Sequence, residues 1–319
     1  MRAADGRETT SSAGRRRWRL AGLVVLLVTL CALPARALTE MAVTVDDLPS
    51  HGPLPRGTTR LEIATQMIHA LKRNVGVPVY GFANGGQMAE SSEMERILRA
   101  WLQAGFLLGN HTFAHLDLTR VNTEQYIADI ERNEQLLARL SGADVPRYFR
   151  YPYLHEGNSA TKRSAVRQWL MTQRYLVAPV TVSSSEWPWN ETYARCVAVD
   201  DQAAIAHLKR EYVADALSRL TAFQELSTRL FGRPIRHVVL IHIGAFDALM
   251  LDELLTAYRT VETRFISLAD ALRDPVYTID PGLVQDSGAT FLVQVAGVRR
   301  VPIPDALSRS PQISADLCR

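Results

Sequence analysis

Two histidines four apart, His111 and His115 in Gly109-Asn110-His111-Thr112-Phe113-Ala114-His115, are the residues of this chain best spaced for metal chemistry. On one face of a helical turn, both imidazoles reach a single ion. Two of the chain's eight histidines also fall four apart by chance in many sequences, so the spacing alone leaves a packing role open. A second polar cluster shifts the balance. Val43-Thr44-Val45-Asp46-Asp47-Leu48-Pro49 ends an apolar run with adjacent aspartates. A hydrolytic metal site uses a third ligand, often a carboxylate, and a separate base beside it. Asp46 and Asp47 offer both.

Holding these clusters together requires a scaffold, and the pattern supplies one. Apolar runs at 41–45, 77–82, 106–108, 148–149, 175–182, 237–243 and 265–268 read as strands. Helical periodicity covers 58–72, 93–104, 123–140, 161–172, 203–231 and 249–263, with Thr123 as a cap and Gly142 just past a helix end. Strand and helix alternate, which predicts an α/β fold with a parallel sheet. The polar clusters fall where strands leave that sheet, the usual place for a site in such folds. After Asp274 the texture changes to Pro- and Gly-interrupted chain with one short strand expected at 290–295. Residues 275–319 read as a partly irregular tail packed on the main domain, with no chemistry assigned.

The first 37 residues read as an export signal. Arg15, Arg16, Arg17 and Arg19 precede an apolar run from Leu20 to Leu33, and Ala35-Arg36-Ala37 fits a small-x-small cleavage site. That run is short for a membrane span. The expected mature chain starts near Leu38 in the periplasm or outside the cell, with no membrane span after cleavage. An uncleaved anchor is the alternative, and the paired arginines leave the export route open. The full chain carries +3, but the signal holds seven arginines against Asp5 and Glu8. The remainder has 29 basic and 31 acidic residues and no basic run, which argues against nucleic acid as a partner. Of three cysteines, Cys196 and Cys318 survive cleavage, and the sequence leaves their pairing open.

Five motifs in order now resemble one family. Thr44-Val45-Asp46-Asp47, His111-Thr112-Phe113-Ala114-His115, Arg150-Tyr151-Pro152-Tyr153, Glu186-Trp187 and Leu240-Ile241-His242 are similar to the motifs of polysaccharide deacetylases with a NodB-homology domain, carbohydrate esterase family 4. The resemblance spans roughly 41–274 and places that domain at 38–274. It implies a distorted, incomplete (β/α) barrel and an exported hydrolase that removes acetyl groups from N-acetylated, or O-acetylated, carbohydrate. It further implies Asp47, His111 and His115 as ligands of a divalent metal, Zn2+ by default, with metal-bound water as nucleophile. By the same resemblance Asp46 is the base, Arg150 its partner and His242 the general acid, oriented by Glu186. The backbone N–H of Tyr153 becomes an oxyanion donor, while Trp187 and Leu240 line the acetyl pocket.

Two positions depart from the family pattern. Glu186 stands where aspartate is usual, one methylene longer. Leu48-Pro49-Ser50-His51 stands where glycine usually follows the aspartates, which implies a bulkier loop and weakens the case for long polymers. His51 reads as an ordinary loop residue, with substrate contact as the alternative. Two other functions keep the same scaffold: a non-sugar amide hydrolase, and a glycan-binding protein without catalysis. Retention of both Asp46 and His242 ranks the latter last.

Overall fold

The computed structural model describes residues 38–142, 146–311, 313–314 and 316–318. The export-signal reading, on 1–37, lies outside the described residues. Among the described residues, eight strands form one sheet: β1 (Thr39–Leu48), β2 (Tyr80–Ala83), β3 (Leu107–Asn110), β4 (Tyr148–Phe149), β5 (Leu176–Val177), β6 (Val182–Ser183), β7 (His237–His242) and β8 (Thr263–Phe265). Every pairing is parallel, in the order β5-β4-β3-β2-β1-β7-β6, with β8 against the start of β1. Strands β5 and β6 follow each other in sequence yet sit at opposite ends of that path. The sheet is therefore an incomplete (β/α) barrel whose chain crosses the open side between them.

The α-helices among the described residues connect and cover the strands: α1 (Arg60–Asn74), α2 (Ser92–Gln103), α3 (Thr123–Ser141), α4 (Ala160–Thr172), α5 (Trp187–Ala198), α6 (Gln202–Phe231), α7 (Ala245–Thr260), α8 (Leu268–Ala271), α9 (Phe291–Arg299) and α10 (Asp305–Ser308). Local chemistry sets several ends. Thr59 and Glu62 form a capping box at the start of α1, and Gly232, left-handed at φ 69°, ends α6. At α3 the cap is Asn122, paired with Gln125, and not Thr123: the asparagine oxygen accepts from the third helical N–H.

Nine of the ten residues of β1 are buried, as expected for a strand packed on both faces. Val43 and Val45 face the outer helices, where Met67, Leu71, Phe246, Leu251 and Leu254 complete the largest core cluster. The alternate face carries Ala42, which packs with Tyr80, Phe82, Tyr148 and Val238, and then Thr44 and Asp46. Register does the rest: Asp46 lies opposite His242, and Asn110, just before His111, lies opposite Phe149, just before Arg150.

Two expected strands are replaced. The strand expected at 175–182 is two two-residue strands, because Pro179 has no N–H to continue a ladder. The strand expected at 290–295 is instead helix α9, which buries Phe291, Leu292, Val295 and Ala296 in the main core. A short apolar run cannot be assigned by period alone, and here burial on two sides decides for helix. Helix α5 had no counterpart in the sequence reading. Cys196, on α5, is disulfide-bonded to Cys318 near the C-terminus. No helix among the described residues is long and apolar enough to cross a membrane.

Candidate active site

The ends of β1, β3, β6 and β7 and the turn after β4 converge on a cavity of about 660 Å³. Asp46, Asp47, His111, His115, Tyr153, Trp187, Leu240 and His242 all line it. Arg150 and Glu186 stand behind that lining, fully buried. All ten residues singled out from the sequence are thus in or directly behind one cavity.

Asp47, His111 and His115 bring their ligand atoms within 4.8 Å of one another. The Nε2 atoms of His111 and His115 lie 3.4 and 3.1 Å from Asp47 Oδ1. The helical turn expected to align the two histidines is absent. Residues 111–115 form an irregular loop in which Thr112 and His115 take left-handed φ of 62° and 53°. Side chains pin this loop: Asn84 Nδ2 donates to the carbonyls of His111 and Thr112, and Asn133 Nδ2 donates to Asn110 Oδ1. His111 Nδ1 sits 2.8 Å from the Arg150 carbonyl, so that nitrogen carries the proton and Nε2 presents a lone pair inward. Asp47 Oδ1 is buried and finds no hydrogen-bond partner among the described residues. An orphaned carboxylate oxygen facing two imidazole nitrogens suits a cation, and the two-His, one-carboxylate set fits a divalent metal.

Next to this cluster are two charged pairs. Arg150 Nη1 donates to Asp46 Oδ1 and to Thr44 Oγ1, both at 2.8 Å, and Nε donates to the Ala178 carbonyl at 3.1 Å. The guanidinium also lies over the Phe82 ring, 4.3 Å from its centre. With Oδ1 engaged, Asp46 Oδ2 points toward His111 Nε2, 3.9 Å away. Burial pulls the Arg150 pKa down, and Asp46 opposes that shift.

On the other side, Glu186 Oε1 accepts the His242 backbone N–H and pairs with Nδ1, each at 2.7 Å, while Oε2 accepts from Ser184. Burial depresses His242, but the Glu186 charge more than compensates and raises it to about 10. Burial opposes the Glu186 charge too, and the His242 cation holds its pKa below normal. Leu240, two residues earlier on β7, shares the His242 face and is buried, while Trp187, the first residue of α5, is 57% exposed. Tyr153 is left-handed at φ 57°, and its ring meets His115 edge-on at 4.5 Å.

Two further residues stand beside these groups: His51, read from the sequence as a loop residue, and Asp247, which the sequence did not single out. His51 is no ordinary loop residue: its Nδ1 lies 2.8 Å from Asp47 Oδ2, and its ring stacks on His242 at 4.9 Å. Asp247, in the first turn of α7, is buried, accepts from Asn190 Nδ2 at 2.7 Å and is pushed up to about 8 by burial and by Glu186. Its position five residues after His242 carried no motif signal.

The sequence matches the polysaccharide deacetylase family model over residues 38–173. It is 28% identical over 149 residues to a peptidoglycan-N-acetylglucosamine deacetylase of Bacillus cereus, covering 46% of each chain. It is 33% identical over 91 residues to a chitin deacetylase of Colletotrichum lindemuthianum, 28% of this chain and 36% of that one. The chain thus spans less than half the length of these curated relatives. Its fold is similar to the solved chitin deacetylase of Colletotrichum lindemuthianum (TM-score 0.51, 20% identity, 78% and 94% of the two chains). It is equally similar to a CE4 family pseudoenzyme from Bacillus anthracis (0.50, 14% identity, 74% and 66%). The stretch that matches the family model, residues 38–173, holds the first three motifs.

Proposed function

We propose that this chain is an exported, metal-dependent hydrolase that removes acetyl groups from N-acetylated, or O-acetylated, carbohydrate. One observation carries the reading. A single cavity holds the Asp47-His111-His115 cluster flanked by a buried carboxylate–guanidinium pair and a buried imidazole–carboxylate pair. A divalent ion held by that cluster, zinc by default, would polarise an acetyl carbonyl and lower the pKa of water.

The chain's own groups do the rest. Asp46 takes the proton from the attacking water through Oδ2, because Arg150 occupies Oδ1. His242 donates a proton from Nε2 to the leaving nitrogen, while Glu186 fixes the ring through Nδ1. The Tyr153 backbone N–H stabilises the developing oxyanion, a contribution of about 3 kcal/mol for one such donor. Leu240 and Trp187 wall the space for the acetyl methyl. The curated relatives named as peptidoglycan and chitin deacetylases support acetylated glycans as substrate. Asp46 and His242 both stand in place, which disfavours a binding protein without catalysis.

The test is acetate release from chitin oligomers, peptidoglycan and acetyl-xylan, with elemental analysis of the purified protein. Asp46→Asn should retain the metal and lose roughly 10²–10⁴-fold in turnover. Cleavage of simple amides with none of these glycans attacked would favour the non-sugar hydrolase instead. Unchanged turnover in Asp46→Asn would remove Asp46 from the chemistry.

A further inference from the structure

We propose that His51 is a positioning residue for the metal-holding carboxylate, fixing Asp47 so that a single oxygen, Oδ1, is presented to the ion. The inference rests on the metal reading of the Asp47-His111-His115 cluster and not on the identity of the substrate.

The two oxygens of Asp47 face different partners. Oδ1 faces His111 Nε2 at 3.4 Å and His115 Nε2 at 3.1 Å, whereas Oδ2 is 2.8 Å from His51 Nδ1. A donor on Oδ2 removes that oxygen from the ligand set and stops the carboxylate from rotating into two-oxygen binding. Such partners behind a ligand orient it and tune the ion.

The imidazole is itself held in place. The His51 backbone N–H donates to the Ile243 carbonyl at 3.0 Å, one residue beyond His242. Arg60 on α1 forks onto the same loop, with Nη1 2.9 Å from the His51 carbonyl and Nη2 2.7 Å from the Gly52 carbonyl. Gly52, left-handed at φ 67°, lets the chain turn against Asn190, where a Cβ would stand 3.5 Å from Asn190 Cβ. On its open face the His51 ring stacks on His242 at 4.9 Å with 29° between planes. One side chain thus touches both the proposed ligand carboxylate and the proposed acid. The Leu48-Pro49-Ser50-His51 departure is then a substitution of function, in which the loop contributes a second-row donor.

Metal affinity tests this without any substrate. Zinc dissociation constants, from competition with a chromogenic chelator, are measured for wild type, His51→Ala and His51→Asn. Cobalt(II)-loaded samples give visible spectra, and circular dichroism verifies folding. His51→Ala should bind zinc about 10–100-fold more weakly. Its cobalt bands should lose intensity as Asp47 binds through both oxygens and coordination number rises. In His51→Asn the amide N–H replaces Nδ1–H and should recover affinity to within a few-fold. Wild-type affinity together with a wild-type spectrum in His51→Ala would overturn the proposal. So would complete metal loss matching His115→Ala, which would make His51 a ligand. A wild-type protein that takes up no divalent ion would overturn the cluster itself and this inference with it.

Discussion

Glu186 carries one methylene more than the aspartate usual at its position, and the structure absorbs the difference by burial. The side chain has no solvent exposure, and its two oxygens meet three donors on His242 and Ser184. That geometry makes a prediction with a definite sign. Removing the carboxylate charge in Glu186→Gln disfavours the imidazolium, so the His242 pKa falls from its raised position near 10. A reaction that needs His242 protonated then loses its alkaline limb at lower pH. Profiles of kcat/KM against pH for wild type, Glu186→Gln and Glu186→Asp would read this directly. An unmoved alkaline limb in the Gln variant would show that another group sets the protonation of His242. At this scale residue types were legible and geometry was not. His111 and His115 meet through left-handed loop residues and not a helical turn, and nothing in a list of residue types reports φ. His51 read as an ordinary loop residue for a related reason, since its contact with Asp47 exists only in the folded chain.

Strands and helices were legible wherever apolar period and length agreed. Strand β4 and the long helices α3 and α6 stand within one residue of their expected bounds. The open side of the barrel was not legible, because the chain crosses it around Pro179 in segments too short to show a period. Helix α5 was hidden by its Trp-Pro-Trp start, where proline sits in the first turn and needs no donor. Strand β7 begins with another consequence of burial. His237 is 2% exposed, with Nδ1 3.2 Å from Thr181 Oγ1. Burial pushes it down to about 4 despite the opposing charge of Asp274. The fold therefore holds it neutral, while the unfolded chain protonates it below its ordinary pKa of about 6.5. Stability is fully present above that pH and is lost as pH falls toward 4, by on the order of 3 kcal/mol. Urea unfolding between pH 4.5 and 7 should show this slope in wild type and a shallower one in His237→Gln. Equal slopes would mean that the acid loss comes from carboxylates alone.

The molecule as a whole is closed by a segment to which the sequence assigned no chemistry. Gly288, Ala289, Thr290, Val293 and Leu307 line the same cavity as the Asp47-His111-His115 cluster, so residues near the C-terminus wall the site. Gly288 packs so tightly on Tyr153 that a Cβ there would meet the Tyr153 carbonyl oxygen at 1.8 Å. The Phe291 N–H donates to the Val180 carbonyl at 2.7 Å, and Arg219 Nη2 donates to the Arg309 carbonyl at 2.8 Å. The Cys196–Cys318 disulfide ties the end of this segment to α5, closing a sequence separation of 122 residues. A link across so long a stretch limits the unfolded chain, and its loss costs about 2–4 kcal/mol. The double variant Cys196→Ser/Cys318→Ser should lose that much stability in denaturant. A reducing agent should destabilise wild type equally and leave the double variant unchanged. Zinc content should persist in the folded double variant, since Asp47 stands on β1 and both histidines follow β3. Metal release on reduction at a temperature where the protein stays folded would show otherwise. It would mean that the wall and the metal cluster move as one unit, coupled through Tyr153, whose ring rests on His115.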